Sequence, residues 1–316
     1  TVMHMRSFGT RLVLVATMVL PLVSCQYADQ LRALRVIKDA HTFYQRGDYE
    51  GAAELYEEVI ANDPAMVDAY FYLANSYDNL FRPALRGQRV NDELLEKAID
   101  NYIKSVDNQT TLQMQTLSMQ YLVAAYGPDK ANDPASSEPV LQQMIKTDPA
   151  NPDNYFRLAT LYEDSGLYAE AEEIYLQVRD LRPDDSNVFQ QLAAFYNRSE
   201  DFDQTVAALR QRAVLEPDNP EAYYVIGTFY WDKAFRDFKL SDEEEEEYVM
   251  LGLAELDKAL ELNADYIEAL TYKNILLRLQ ANLTEDLDER EELITQADEL
   301  RDRAEELQKL RTAGVS

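Results

Sequence analysis

The 316-residue sequence has few of the residues on which enzyme and metal sites depend. It contains one cysteine, Cys25, and two histidines, His4 and His41, which are too few for a Cys/His zinc site. Its nine glycines are scattered and form no phosphate-binding loop, and the Gly-x-Ser-x-Gly motif of hydrolases is missing. We therefore predict no enzymatic activity, no cofactor and no metal site, and we expect His41 to be a surface or groove residue.

Basic residues are also scarce. The chain has 30 Lys and Arg against 58 Asp and Glu, a net charge of -28. Such a charge repels phosphate backbones and attracts basic partners, so we predict no nucleic-acid partner and expect protein partners of basic or mixed charge. Because 46% of the residues are hydrophobic, the chain is predicted to fold rather than to remain an acidic disordered segment.

The sequence has only one strongly apolar run, LVLVATMVLPLV at residues 12–23. It follows Arg6 and Arg11 and is shorter than the roughly 20 residues of a membrane-spanning helix. With Leu22-Val23-Ser24-Cys25 at its end, the segment resembles the lipobox of bacterial lipoproteins. An ordinary signal peptide or a buried N-terminal helix is the alternative.

The lipobox resemblance implies that residues 1–25 are a signal peptide and that Cys25 is the lipidation site. Loss of two arginines would then leave a charge near -28 - 2 = -30. Gln26 in place of Asp resembles an outer-membrane sorting signal if the host is Gram-negative, which implies a cell-envelope protein facing the periplasm. Residues 26–30 would form a linker of at most about 18 Å, so the folded part would lie close to the membrane.

After Cys25 the sequence repeats, most clearly in PDNYFRLATLYEDSGLYAEAEEIYLQVRDLRPDD at residues 152–185. Large residues such as Tyr162 and Tyr175 alternate with small ones such as Ala159 and Ala171, a pattern that resembles the tetratricopeptide repeat (TPR) family. The resemblance implies an all-α, right-handed solenoid over residues 26–310 with a long C-terminal capping helix and a disordered tail at 311–316. Seven repeats are expected near 33–66, 67–110, 116–151, 152–185, 186–219, 220–266 and 267–310.

The repeat pattern also implies a concave groove lined by outward residues of each first helix. Aromatic and amide side chains there would give contact area and pair with a peptide backbone. The predicted groove residues are Phe71, Asn75, Asp78, Phe156, Thr160, Glu163, Gln190, Asn197, Tyr224, Thr228 and Trp231.

Two repeats carry similar insertions, YDNLFR at 77–82 and WDKAFR at 231–236. In the structural interpretation, Phe81 and Phe235 pack on their own second helices while Arg82 and Arg236 bridge to acids. In the functional interpretation, the two loops grip one partner, as loops on a rigid scaffold often do.

Two acidic segments favour helices. Ser241 followed by Glu244 predicts a capping box at a helix start, and the segment lacks the alternating ligands of a calcium loop. The apolar positions 293, 297, 300, 304 and 307 predict a capping helix, with homodimerisation through this helix as the alternative.

The combined expectation is a membrane-anchored TPR scaffold that binds protein or peptide partners in an envelope assembly complex. The alternative is a lipid-tethered holdase or ligand-capturing protein that binds extended segments transiently. The sequence alone does not choose a partner or a pathway.

Overall fold

The computed structural model describes residues 10–109 and 111–314, with side chains from residue 28 onward. These residues form fourteen α-helices, one short 3-10 helix at Pro83–Leu85, and no strand, which confirms the predicted all-α solenoid class. The helices are α1 Thr10–Gln45, α2 Tyr49–Asn62, α3 Asp68–Leu80, α4 Arg89–Asn108, α5 Leu112–Tyr126, α6 Pro134–Thr147, α7 Pro152–Asp164, α8 Tyr168–Leu181, α9 Ser186–Arg198, α10 Phe202–Leu215, α11 Pro220–Arg236, α12 Asp242–Leu262, α13 Ile267–Leu283 and α14 Leu287–Thr312.

The helices belong to two compact units. Unit 1 ends at Ser165, and unit 2 begins at Gly166. Unit 1 contains α1–α7, and unit 2 contains α8–α14. Within them the closest packing is between consecutive helices, such as α1 with α2, α3 with α4, α9 with α10, and α11 with α12. This is the helix pairing that the repeats predict, because an amphipathic helix needs a partner to bury its apolar face. The boundary between the units falls inside the predicted repeat 152–185.

Small residues let the paired helices of unit 1 approach closely. Ala40, Ala52, Ala69 and Ala98 are fully buried, and so is the large side chain of Tyr56. The small and large residues that alternate in the sequence therefore both belong to the packed interior.

In unit 2 the close approach depends on glycine. A methyl group on Gly252 would lie 2.8 Å from Leu276 Cδ1 and 3.2 Å from Tyr230 Cβ, and one on Gly227 would lie 2.7 Å from Leu256 Cγ. The distances of 2.7 and 2.8 Å are shorter than carbon–carbon contacts allow, and the distance of 3.2 Å is tight. The close packing of α11, α12 and α13 therefore depends on the missing side chains at these two positions.

The start of α12 has the predicted capping box. The Ser241 side chain accepts a hydrogen bond from the Glu244 backbone N–H, and the Glu244 carboxylate accepts one from the Ser241 N–H at 2.9 Å. Four acidic residues lie in the first turn of this helix, where the helix dipole favours negative charge.

At the C-terminus, Leu293, Ala297 and Ala304 of α14 are buried, and the first two join the core formed with α13. The predicted apolar stripe of α14 is therefore buried against other helices of the same chain. This favours the interpretation of α14 as a capping helix. The helix extends to Thr312, two residues beyond the predicted end of the solenoid at 310.

The N-terminal predictions lie mostly outside the described residues. Residues 1–9 are not described, and Cys25 lies in α1 at a position where the side chain is not described. Residues 26–30 are helical within α1, which corrects the expectation that they form a linker before the first helix.

Candidate protein-binding surfaces

A strip of aromatic side chains crosses three successive first helices of unit 1. We call His41 and Tyr44 of α1, Tyr72 of α3 and Tyr121 of α5 the tyrosine strip. The ring centroids of His41 and Tyr72 are 4.9 Å apart, and those of Tyr44 and Tyr72 are 5.2 Å apart, both edge to face. Phe71 connects the strip to α5, because its ring lies 5.4 Å from Tyr72 and 5.3 Å from Tyr121.

The strip is partly exposed on a buried support. His41, Tyr44 and Tyr72 are half-buried, and Tyr121 is 37% exposed. Beneath them Tyr56, fully buried, stacks on Tyr72 with the ring planes inclined by only 15°. Rings held in this way lose little conformational entropy when they bind a partner, so the strip is a preorganised contact surface.

Hydrogen bonds anchor the strip to the interior of unit 1. The Tyr44 hydroxyl donates to Asn75 Oδ1 at 2.7 Å, and Asn75 Nδ2 donates to the Tyr102 hydroxyl at 3.2 Å. Tyr102 in turn donates to Asp78 Oδ2 at 3.3 Å, and Asp78 forms a salt bridge with Lys130 at 2.5 Å. The network therefore links α1, α3, α4 and the loop before α6.

Two residues of the strip, His41 and Tyr44, have pKa values shifted toward the neutral form. Burial raises the pKa of Tyr44 to about 12, so its hydroxyl stays protonated. Burial also lowers the pKa of His41 below its usual 6.5. The negative charge of Asp68 raises this pKa, but its effect is smaller than that of burial. Neutral rings and hydroxyls can contact apolar side chains and pair with peptide groups without a charge of their own.

Three predicted groove residues are buried instead of exposed. Phe71, Asn75 and Asp78 are 5%, 5% and 9% exposed, and they form the ring contacts and hydrogen bonds described above. This burial corrects the prediction that they line an open groove. On α3 the partly exposed aromatic is Tyr72, one residue after the predicted Phe71.

The second surface of unit 1 is a cleft of about 570 Å³ between α5, α6 and α7. Helix α1 contacts α3 and α3 contacts α5, and the cleft occupies the corresponding place between α5 and α7. Two predicted groove residues, Phe156 and Thr160, line it. Its main apolar lining residues are Val123, Tyr126, Leu141, Phe156 and Leu161. The volume is in the range of ordinary ligand pockets.

The remaining predicted groove residues of α7 and α9 are dispersed. Glu163 is half-buried on α7, and Gln190 and Asn197 are exposed on α9. Asn197 lines a cleft of about 490 Å³ together with Arg236 of α11.

In unit 2, Tyr224 and Trp231 of α11 form an aromatic cluster with Tyr272 of α13. The ring centroids of Trp231 and Tyr272 are 5.1 Å apart, and those of Tyr224 and Tyr272 are 5.6 Å apart. Burial raises the pKa of Tyr224 to about 12, and the Trp231 indole nitrogen is buried without a hydrogen-bond partner. Thr228 donates its hydroxyl to the Val225 carbonyl at 2.7 Å. The rings pack on one another and against the buried core of unit 2.

The first insertion folds inward. Because Pro83 disfavours helical backbone at the residue before it, Arg82 is extended, with φ -119° and ψ 112°, and α3 ends at Leu80. Phe81 is then buried at 5% exposure, while the Arg82 backbone N–H and carbonyl pair with the Asn91 side chain at 2.8 and 3.1 Å. The Arg82 residue as a whole is exposed.

The second insertion projects outward. No proline interrupts it, and α11 continues to Arg236, which forms a salt bridge with Asp232 at 2.8 Å. Phe235 is 57% exposed and stacks on Trp231 at 5.6 Å, and Phe238 in the following turn is 96% exposed. The shared motif therefore gives two different structures. The structural interpretation expected Phe235 to pack on its second helix, but more than half of its side chain is exposed and its ring stacks on Trp231 of its own helix.

Sequence reasoning missed most of the tyrosine strip. It identified His41 as a surface or groove residue but did not include Tyr44, Tyr72 or Tyr121. Their common signal is spacing, because His41 and Tyr44 are three residues apart on one helix face and the other two recur on the next first helices.

The described residues show neither a membrane-crossing helix nor a metal-binding cluster. None of the described helices is long and apolar enough to cross a membrane. Likewise, the described side chains include no group of three or more His, Cys, Asp or Glu residues placed to hold a metal ion.

Family models match the chain in two places, one described as tetratricopeptide repeat over residues 130–194 and one described as TPR repeat over residues 40–80. No curated protein matches the chain. The C-terminal part of a TPR repeat-containing protein from Cytophaga hutchinsonii has a similar structure, with 15% sequence identity and a TM-score of 0.52 over 83% of this chain and 94% of that chain.

Two other solved structures resemble smaller parts of the chain. The MamA protein has 20% identity and a TM-score of 0.44 over 66% of this chain and 97% of its own. YrrB, described as a TPR protein with an unusual peptide-binding site, has 18% identity and a TM-score of 0.41 over 61% of this chain and 91% of its own. At these identities the likeness concerns the fold.

Proposed function

Because the chain belongs to the tetratricopeptide repeat family, we propose that it is a non-catalytic scaffold that binds segments of partner proteins on the tyrosine strip of unit 1. The observation that carries this proposal is the continuity of the strip, whose partly exposed rings lie on three successive first helices.

The chemistry of the strip suits a protein segment. Tyrosine is enriched at protein interfaces because its ring gives apolar area and its hydroxyl can still form hydrogen bonds. The hydrogen-bond network from Tyr44 to Lys130 holds the strip in place, which reduces the entropy that binding would cost. A chain with net charge -28 favours segments of basic or mixed charge among those that reach the strip.

We also propose where in the cell the protein is located. The lipobox pattern at Cys25 supports a lipid anchor in the cell envelope, facing the periplasm from the outer membrane if the host is Gram-negative. Stable attachment would come from more than one acyl chain, because a single chain gives only marginal membrane binding. The scaffold would then act in an envelope assembly complex close to the bilayer.

A lipid-tethered holdase is the second candidate, and one observation favours it. The strip has no charged side chain of its own, so it can accept many extended segments with little selectivity. The two functions differ in whether partners are few and stoichiometric or many and transient.

Affinity purification from cross-linked, detergent-solubilised envelopes tests the proposal. Four forms would be compared: the native chain, Cys25→Ser, the strip variant Tyr72→Ser/Tyr121→Ser, and the control Tyr168→Ser, whose tyrosine is 55% exposed on α8 and is not a member of the strip. Circular dichroism would check that all four are folded.

We expect the native chain and the Tyr168→Ser control to recover one defined set of envelope proteins, and the strip variant to lose it. Recovery of that set by a folded strip variant would contradict the proposed surface. A diffuse set of unfolded clients, unchanged in Cys25→Ser, would favour the holdase, and an equal yield from Cys25→Ser would contradict the role of the lipid.

A further inference from the structure

The cleft between α5, α6 and α7 contains two charged side chains that lack ion-pair partners. Arg157 and Asp164 both line it, both are exposed, and neither forms a salt bridge or hydrogen bond with another side chain in the part of the chain that the structure describes. By contrast, Lys130 in the loop before α6 forms a salt bridge with Asp78. The cleft therefore offers one free guanidinium and one free carboxylate.

The spacing of these charges defines a length. Arg157 and Asp164 are seven residues apart on α7, which corresponds to about two helical turns and about 10 Å along the axis. Three residues of an extended peptide cover about the same distance at roughly 3.3 Å each. A peptide with an acidic side chain at one position and a basic one three residues later would match both charges.

The surface between the two charges is apolar. Phe156 and Leu161 of α7, Val123 of α5 and Leu141 of α6 line the cleft, and its volume of about 570 Å³ has room for two apolar side chains. Thr160, one helical turn from both Phe156 and Asp164, adds a hydroxyl for the peptide backbone.

We propose that this cleft binds an extended peptide segment in which one acidic and one basic side chain flank two apolar residues. This inference rests on the proposed function and adds a charge-selective site to the tyrosine strip of the same unit. Arg157 pairs with the acidic residue, Asp164 pairs with the basic residue, and the two apolar side chains enter the cleft. Selectivity comes from the pairing of both charges, since a segment with two like charges meets one repulsive contact.

Three fluorescent peptides test the proposal on the full chain in detergent. Their cores are Glu-Leu-Phe-Lys, Glu-Leu-Phe-Glu and Lys-Leu-Phe-Lys, each with the same uncharged Gly-Ser flanks. Fluorescence anisotropy at low salt would measure their dissociation constants for the native chain, for Arg157→Glu and for Asp164→Lys. Asp184→Lys is the matched control, because Asp184 is also exposed but lies in the turn before α9.

The native chain should bind the mixed peptide most tightly, by about three- to tenfold over each like-charged peptide, since each partly exposed pair contributes modestly. Arg157→Glu should then prefer the Lys-Leu-Phe-Lys peptide, and Asp164→Lys the Glu-Leu-Phe-Glu peptide, while Asp184→Lys keeps the native order. These preferences should weaken as salt increases.

An unchanged order of affinities in both α7 variants would overturn the proposal, and so would no measurable binding of any of the three peptides. Neither result affects the tyrosine strip, because the Tyr72→Ser/Tyr121→Ser variant keeps Arg157 and Asp164. Failure of the cleft and failure of the proposed function can therefore be distinguished.

Discussion

The salt bridge between Asp78 and Lys130 gives the most detailed stability prediction. The two side chains are 6% and 26% exposed, and they connect α3 to the loop between α5 and α6. Replacing Lys130 with Met would leave the Asp78 carboxylate buried with only the Tyr102 hydroxyl as a hydrogen-bond donor. Breaking a buried pair by removing one partner costs about 3–5 kcal/mol.

The two single variants should lose different amounts of unfolding free energy. Lys130→Met should cost about 3 kcal/mol, because the remaining carboxylate cannot reach water. Asp78→Asn should cost less, about 1–2 kcal/mol, because a partly exposed lysine can extend its ammonium group into solvent. The double variant should then be more stable than the sum of the two losses predicts, by about 1–2 kcal/mol, since both substitutions remove the same interaction.

Urea denaturation followed by far-UV circular dichroism measures these differences. Lys104→Met is the matched control, because Lys104 is exposed on α4 and should change the free energy of unfolding by less than about 0.5 kcal/mol. If Lys130→Met costs no more than this control, or if the two losses add fully in the double variant, the buried pair does not stabilise unit 1 as argued.

Three further predictions concern packing, capping and the insertions. Gly252→Ala should destabilise the chain by about 1–2 kcal/mol in urea denaturation, because overpacking exceeds the gain in helix propensity. Ser241→Ala should lower the melting temperature at pH 7. The backbone N–H and the hydroxyl of Ser241 both lower the pKa of Glu244, and alanine removes only the hydroxyl bond, so the part of the loss due to that bond should shrink as the pH falls below the ordinary pKa of 4.5 and the carboxylate is protonated. Phe81→Ser should cost about 3 kcal/mol or more while Phe238→Ser leaves stability unchanged, as their 5% and 96% exposures require.

Each of these has a contradicting result. Met250→Ala removes a half-exposed side chain from α12 and is the control for Gly252→Ala, so a larger loss in the control would contradict the close-packing argument. For the capping box, the difference in melting temperature between the native chain and Ser241→Ala should not grow as the pH falls. A growing difference would contradict the prediction. For the insertions, equal losses at Phe81 and Phe238 would show that the two loops are not different in structure.

The helical architecture could be predicted because it depends on a repeated local pattern. Small and large apolar residues alternate within each repeat, and a turn signal recurs about every 34 residues. Neither property depends on distant contacts. The capping box at Ser241 was predictable for the same reason, since its two partners are three residues apart in sequence.

The binding surface was harder to predict, because exposure depends on neighbouring repeats. Asn75 and Asp78 have the sequence positions of groove residues, yet Tyr44 from the preceding repeat and Lys130 from the following one bind them inside unit 1. No pattern within one repeat contains that information. The insertions show the same limit, because a shared aromatic motif folds inward at Phe81 and outward at Phe235, where only one has a proline two residues later.

The central claim is that the tyrosine strip contacts a partner protein, and site-specific photo-cross-linking tests it most directly. A photoreactive phenylalanine analogue would replace Tyr121 in the strip and, in a separate strain, Tyr168 on α8, with the full chain expressed in its native host. Ultraviolet irradiation of intact cells should give a discrete cross-linked band from position 121, identified by mass spectrometry, and no such band from position 168. No band from position 121, or the same band from both positions, would contradict the account.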